Sequence, residues 1–404
     1  MRKPRVGPSR RWTVLAVALA VQTATSIVAA AMPVLLPFVK DEFHLTFAQA
    51  GVVANFSFVG GFLTIALAGL AVDSLGDRFV LVLGGILAGS VAMVVALASS
   101  FWLLLGLLVL MGTGIAMPTP AGSVAVRNAF PLRLRGSVMS LRQTGIPIGA
   151  FLAALLLPPI AIAAGWRVAM LVAGGISIAV AVVGLGVYRR KARPEPIPGD
   201  DRGFRRVMNR DSTIAAAGGV LLVASQMCIL TYLVAFLIHD RGIPLAMAAV
   251  FLAFTQLAGA GARVLWGVVS DRLLGGSRRM ALILAAATGA AGSLFLALLP
   301  GAAPLPLLAL TILAATLGAV GWNGVQISFL SELARPGSEG RSVGVGLMIQ
   351  QPGILAGPFL FGLVVDATGS FRLAWLLMAG FLLGAMAIIS TTHERPREAE
   401  RQVA

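Results

Sequence analysis

Residues 255–279 read TQLAGAGARVLWGVVSDRLLGGSRR. An arginine, Arg263, sits inside an apolar stretch that runs from about Ile243 to Val269 and stops abruptly at Ser270-Asp271-Arg272. In a helix, Arg263 would lie roughly 12 Å along the axis before Asp271. A guanidinium keeps its proton at any ordinary pH. Setting it in hydrocarbon costs at least ~2.5–3.5 kcal/mol unless it faces a polar cavity. Gln256 and Gly259, at i−7 and i−4, share its face and give it room and a polar neighbour.

The rest of the chain has the same character. Of its 404 residues, 58% are hydrophobic and only 12% are charged, where a soluble domain is about a quarter charged. Long apolar runs recur from end to end, which describes an all-α polytopic membrane protein. The net charge of +15 lies almost wholly in short loops, with no basic face interleaved with aromatics, so nucleic acid is excluded as a partner. The lone Cys228 has no partner for a disulfide, and His44, His239 and His393 fall in loops or the tail, so neither a metal site nor a cofactor is expected.

Twelve spans follow in order: about 12–38, 46–72, 78–99, 101–123, 136–163 and 166–188, then 212–238, 245–270, 279–299, 303–331, 341–366 and 371–391. Each is long enough to cross ~30 Å of hydrocarbon. The first follows a basic start, as a secretory signal does, but it is longer than a signal's ~7–15-residue core and reads as a retained span. Counting Lys and Arg places 25 on the side of the termini and four (Lys40, Arg167, Arg241, Arg372) on the other, with Arg142 and Arg263 inside spans. That asymmetry puts both termini in the cytoplasm. Short loops and short termini suit a plasma or bacterial inner membrane.

The chain also repeats itself. Gly69-Leu-Ala-Val-Asp73 after span 2 echoes Gly267-Val-Val-Ser-Asp271 after span 8. Arg142-Gln-Thr-Gly145-Ile-Pro-Ile-Gly149 echoes Gln350-Gln351-Pro-Gly353-Ile-Leu-Ala-Gly357, and Trp166-Arg167 echoes Phe371-Arg372. Two six-helix halves, 1–188 and 212–404, joined by a cytoplasmic linker at 189–211, form a transporter architecture. Gly145-x-x-x-Gly149 and Gly353-x-x-x-Gly357 are small-xxx-small patterns that let backbones approach closely, and they read as sliding faces of spans 5 and 11.

On these motifs the chain resembles the major facilitator superfamily over nearly its whole length. The loop between spans 2 and 3 in that family reads roughly G-x-L-A-D-R-x-G-R-R. Gly69, Asp73, Gly76 and Arg78 match it, while Ser74 and Asp77 stand in basic positions. The second copy keeps Gly267, Asp271 and Arg272, with Arg278 and Arg279 after a short insertion. The resemblance implies that these residues brace cytoplasmic helix ends in one of two conformational states. Two family signatures are incomplete. The arginine of the span 4 pattern R-x-x-x-G-x-G is Leu108 here, and G-P-x-x-G-G of drug exporters is matched only in part at Gly145 to Ala150.

No carboxylate is placed mid-membrane; Asp366, near the outer end of span 11, comes nearest. The charges inside spans are both arginines, Arg263 and Arg142, which favours an anionic substrate, because a guanidinium fork matches a carboxylate or oxyanion. Arg-x-x-x-Gly-x-x-x-Asp, from Arg263 to Asp271, is similar to span 8 of monocarboxylate, oxalate and nitrate carriers, where the arginine is implied to bind the anion. A structural tie to carbonyls is the other reading of Arg263. For Arg142, some 9 Å into span 5, snorkelling to the cytoplasmic surface is the other reading. Gln22, Asn55, Gln226, Gln256, Trp322, Asn323, Gln326, Gln350 and Gln351 are the polar groups that could complete a substrate site.

The sequence therefore describes a secondary transporter that moves a small anion by alternating access, with a proton or a counter-anion as the coupled species. An exporter of hydrophobic drugs or metabolites, a proton antiporter, is the alternative. No nucleophile–base pair or metal cluster suggests an enzyme.

Overall fold

The computed structural model describes residues 8–188, 208–301, 303–334 and 338–393. Most of the linker expected at 189–211 lies outside the described residues. Every described element is helical, and twelve helices or helix pairs are long and apolar enough to cross a membrane. This follows from the solvent. In hydrocarbon a backbone N–H or C=O has no water to bond, so each segment must satisfy its own, and a helix does so.

The first six spans are α1 (Pro8–Glu42), α2 with α3 (Phe47–Asn55, Ser57–Leu75), α4 (Asp77–Val95), α5 with α6 (Phe101–Ala116, Pro118–Ala129), α7 with α8 (Leu132–Gln143, Gly145–Ala164) and α9 (Trp166–Val187). The second six are α10 (Arg210–His239), α11 (Leu245–Val268), α12 (Arg278–Leu298), α13 with α14 (Leu305–Gly321, Asn323–Leu333), α15 (Glu339–Thr368) and α16 (Phe371–Ser390). All twelve expected spans are present, with shifted ends. Span 1 runs on to Glu42, where the carboxylate accepts from the Trp166 indole at 2.6 Å and pairs with Arg167. Span 8 ends in a wide π turn, Val269–Leu273, that carries Ser270-Asp271-Arg272.

Four spans are interrupted, each at a residue that keeps a right-handed helical backbone. At Met117 the cause is Pro118, which has no N–H to give. Pro147 does the same for the step at Thr144. At Trp322 the side chains compete with the backbone: the indole donates to Ala319 O at 2.9 Å and the Asn323 amide to Val320 O at 3.2 Å. Spans 4 and 10 therefore break at matching points of the repeat. Sharp reversal between α3 and α4 falls on Gly76, whose φ of 91° and ψ of 154° suit only glycine.

The chain gathers into two compact units. One holds residues 1–45, 52–198 and 244–256; the other holds 46–51, 199–243 and 257–404. In the first, α1 packs on α8 and α9, and α4 on α5 and α9. In the second, the equivalent helices repeat the pattern: α10 packs on α15 and α16, and α12 on α13 and α16. The helices thus repeat as two pseudo-repeated sets of six, although the compact units exchange the starts of spans 2 and 8, residues 46–51 and 244–256.

The four glycines of the small-xxx-small patterns seat these pairs. A Cβ on Gly149 would lie 2.6 Å from Ser26 Cβ of α1 and also meet the Thr23 carbonyl; one on Gly145 would come within 3.1 Å of Leu19 O. In the second unit a Cβ on Gly357 would lie 2.6 Å from Ala224 Cα of α10, and one on Gly353 would run into Val220 O. Each pattern thus holds a helix against the first helix of its own half. Replacing Gly353 with valine should destabilise the second unit by about 1–3 kcal/mol, because the obstacle is backbone and cannot swing aside. The midpoint of thermal unfolding in detergent measures this, and an unchanged midpoint would contradict the seat.

Candidate functional site

Polar residues that the sequence marks out fall into clusters within each unit. In the first, Arg142 is fully buried and meets only neutral partners. Its Nη1 donates to Gln22 Oε1 at 3.1 Å, and its Nη2 to Ser123 Oγ at 3.1 Å and Gln143 Oε1 at 3.2 Å. Thr119 of α6 also donates to Gln22 Oε1, at 3.4 Å. The guanidinium does not snorkel. The step at Thr144 ends α7 just beyond it, and the open backbone beside Gly122 leaves the fork room. Ser123 and Gln143 carry this network and were not among the site residues expected from the sequence.

In the second unit, the Asn323 amide donates to Gln226 Oε1 at 2.8 Å, joining α14 to α10. Gln326 donates to Ala215 O at 2.8 Å, while its own Oε1 is buried without a partner. Gln350 is buried too, its Nε2 unpartnered and its chain laid against Gly219. Trp322 is buried, bonded to its own turn. Gln351 is half-buried and reaches only Leu347 O, at 3.5 Å. Asn55 is buried in α2, and Gln256 is half-buried in α11.

Arg263 stands apart. It lies in α11 where that helix passes α13 and α14: Gly259 fits against Val320, Gly321 against Ala262 and Trp266, and Gly324 against Arg263 O. Its Nε is buried with no partner, and its side chain makes no hydrogen bond or ion pair with any described residue. Neither intramembrane guanidinium faces a carboxylate among the described residues. In a low-dielectric setting, an unpaired charge of this kind is costly.

The loop motifs are braced, though not only by the residues expected. Gly69 and Asp73 lie in α3, and nothing of their side chains falls within the described residues. Asp77, read as a departure from the family pattern, is buried, accepting from Arg78 N–H at 2.8 Å and from the Tyr188 hydroxyl at 3.0 Å. Arg78 donates to Leu185 O at 2.5 Å, tying the loop to the end of α9. In the second copy, Arg278 is the hub: it pairs with Asp271 at 2.7 Å and Glu332 at 3.2 Å, and donates to Ser270 Oγ at 3.0 Å. Gly267 is half-buried in α11 and Arg272 is exposed. Glu332 and Tyr188 were invisible in sequence because each acts across more than fifty residues.

A helical, twelve-span membrane protein with two repeated halves and braced loops between spans is built as a transporter, not as an enzyme. The family model of the Major Facilitator Superfamily matches residues 14–358, and the chain belongs to that superfamily. It is 28% identical over 395 residues to an uncharacterised MFS-type transporter of Mycobacterium tuberculosis, covering 96% of this chain and 87% of the relative. It is 23% identical to the hexuronate transporter of Bacillus subtilis, covering 89% of each. A probable sulfoacetate transporter of Cupriavidus necator is 25% identical, covering 88% of this chain and 87% of the relative. Among solved structures, a bacterial homologue of the human lysosomal transporter Spinster, inward-facing and occupied, superposes with a TM-score of 0.79 at 18% identity, over 95% of this chain and 97% of that one. The chain is a multi-pass secondary transporter of small molecules.

The Arg142 network makes a further demand. Gln22→Leu should cost about 1–3 kcal/mol, since it strips a buried guanidinium of one acceptor. Adding Arg142→Met should then cost much less than it does alone. A double-mutant cycle of thermal stability reads the coupling, and additivity would deny it.

Proposed function

We propose that this transporter carries a small anion, an organic carboxylate or an inorganic oxyanion, by alternating access. The observation that carries the reading is the Arg263 guanidinium: fixed in charge, held in a membrane span, and bonded to no described residue. Such a group lowers its energy by meeting an anion that arrives already shaped to its fork. Relatives named for hexuronate and sulfoacetate, both anions, support the same class.

Arg263 is then the electrostatic anchor. Arg142, bonded to neutral partners through both terminal nitrogens though not through Nε, holds Gln22 in place in the first unit, while in the second Gln226 and Asn323, already paired, present a fixed amide edge. Gln326 and Gln350 each bring a buried polar atom that still lacks a partner. Gln256 shares the Arg263 face, and Asn55, Trp322 and Gln351 complete the set as orienting groups. The bodies that rock are 1–188 and 212–404, linked by 189–211. Asp73 and Asp271, with Gly69, Gly76, Arg78, Gly267 and Arg272, brace the loops at one end of the cycle. The 25-to-4 split of Lys and Arg sets both termini in the cytoplasm, with the spans in a plasma or inner membrane. With no carboxylate placed mid-membrane, coupling falls to a counter-anion or to a proton carried with the substrate.

The test is thermal stability of the purified protein against a panel of carboxylates and oxyanions, with Arg263→Ala alongside. A ligand at 100 times its dissociation constant stabilises by ~2.7 kcal/mol. One anion is expected to shift the wild type and leave the variant unmoved. If only bulky apolar compounds shift the protein, and do so equally in the variant, the protein is an exporter of hydrophobic molecules and Arg263 is structural.

A further inference from the structure

Two polar side chains of α1, Gln22 and Ser26, share one face of the helix a turn apart, and each keeps a donor that no described residue receives. Both belong to the first unit, and both are more than nine-tenths buried, at 4% and 6% exposed. The Gln22 amide is bonded on one side only. Its Oε1 accepts twice, from Arg142 Nη1 at 3.1 Å and from Thr119 Oγ1 at 3.4 Å. Its Nε2 donates to no described residue. The Ser26 hydroxyl makes no hydrogen bond with a described residue either.

Local chemistry accounts for both orientations. A guanidinium carries only donors, so the amide oxygen must face Arg142 and the NH2 group must face away. Turning the amide over would set NH2 against Nη1, donor against donor, and leave both unpaired. Two donors on the oxygen also polarise the amide, which strengthens its free N–H groups. A buried serine in a helix can return its hydroxyl to the carbonyl four residues back, as Ser225 does to Leu221 O at 2.9 Å and Ser293 to Gly289 O at 2.7 Å. For Ser26 that carbonyl is the one of Gln22, which already accepts from Thr25 Oγ1 at 3.1 Å. Gly149 of α8, where an added Cβ would fall 2.6 Å from Ser26 Cβ, keeps the serine seated against its neighbour helix.

We propose that Gln22 Nε2 and Ser26 Oγ are paired donors to acceptor oxygens of the substrate, and that Arg142 is a positioning residue that fixes the Gln22 amide for this task. The ligand chemistry that fits is a head group with two acceptor oxygens, a carboxylate or a sulfonate. A buried donor without an acceptor is costly, and a head group of that kind satisfies both donors at once. Arg142 has no need to touch the substrate. It is fully buried, and its terminal nitrogens are taken by Gln22, Ser123 and Gln143. Its charge acts through the orientation of one neutral amide. The inference rests on the anion reading and adds to it the residues of the first unit that meet the anion.

The test is calorimetric binding of glucuronate, sulfoacetate, lactate, nitrate and sulfate to the full chain in detergent, with melting temperatures measured alongside. For an anion that binds the parent, Ser26→Ala is expected to weaken binding about tenfold. Gln22→Glu exchanges the donor for an oxygen at nearly constant shape and gives Arg142 a carboxylate to pair with. It is expected to weaken binding further without lowering the melting temperature. Gln22→Leu and Arg142→Met should each weaken binding, and the double variant no more than Gln22→Leu alone, because Arg142 acts through that amide. Parent-like affinity in both Ser26→Ala and Gln22→Glu would overturn the paired donors and leave the anion reading standing. An Arg142→Met loss that persists in full beside Gln22→Leu would overturn the positioning role. A parent that binds none of the five anions would remove the anion reading, and the paired donors with it.

Discussion

Everything distinctive in this protein turns on positive charge held in a membrane span without a negative partner. A guanidinium cannot escape the cost of burial by becoming neutral, as a lysine can by losing a proton or a carboxylate by gaining one. It must be surrounded with dipoles or be met by an anion. The chain does the first for Arg142, which is wrapped by Gln22, Ser123 and Gln143. It does nothing of the kind for Arg263, although Gln226, Asn323 and Gln326 in the same unit are amides that could have been placed to do so. Those amides are spent on each other and on the backbone. An uncompensated charge beside small residues is the arrangement expected when compensation arrives from outside and leaves again.

Around that charge, the fold is made rigid where rigidity serves and jointed elsewhere. Within each half, glycines bring α8 onto α1 and α15 onto α10 so closely that backbone meets backbone. The charged contacts lie at the ends of spans instead. Arg278 joins Asp271 and Glu332 at one end, and Asp366 grips α2 at the other.

The twelve spans were legible because hydrocarbon leaves the backbone so few options that apolar run length alone gives the count. The repeat was legible for the same reason: equivalent spans must bury equivalent faces, so their glycines recur. Local chemistry explains some interruptions, such as Pro118 after Met117, although span 4 reads from the sequence as one unbroken run. The matching step at Trp322 did not show, because it depends on an indole and an amide turning back onto their own helix. The candidate site was legible by residue type and not by partnership. Depth along span 5 left Arg142 equally able to snorkel, and only packing against residues 19 and 120 positions away decided otherwise. Asp366 stood out as the carboxylate nearest the membrane interior, yet its partners at Phe47 and Ala48 lie 319 and 318 residues back.

The central claim, that Arg263 reads negative charge on the substrate, is tested most directly by calorimetric binding of one carboxylate and its uncharged amide to the wild type and to Arg263→Gln. The account predicts that the wild type prefers the carboxylate by about 2–5 kcal/mol and that the variant loses that preference while still folding. Equal preference for the carboxylate in both proteins would contradict it and return Arg263 to a structural role.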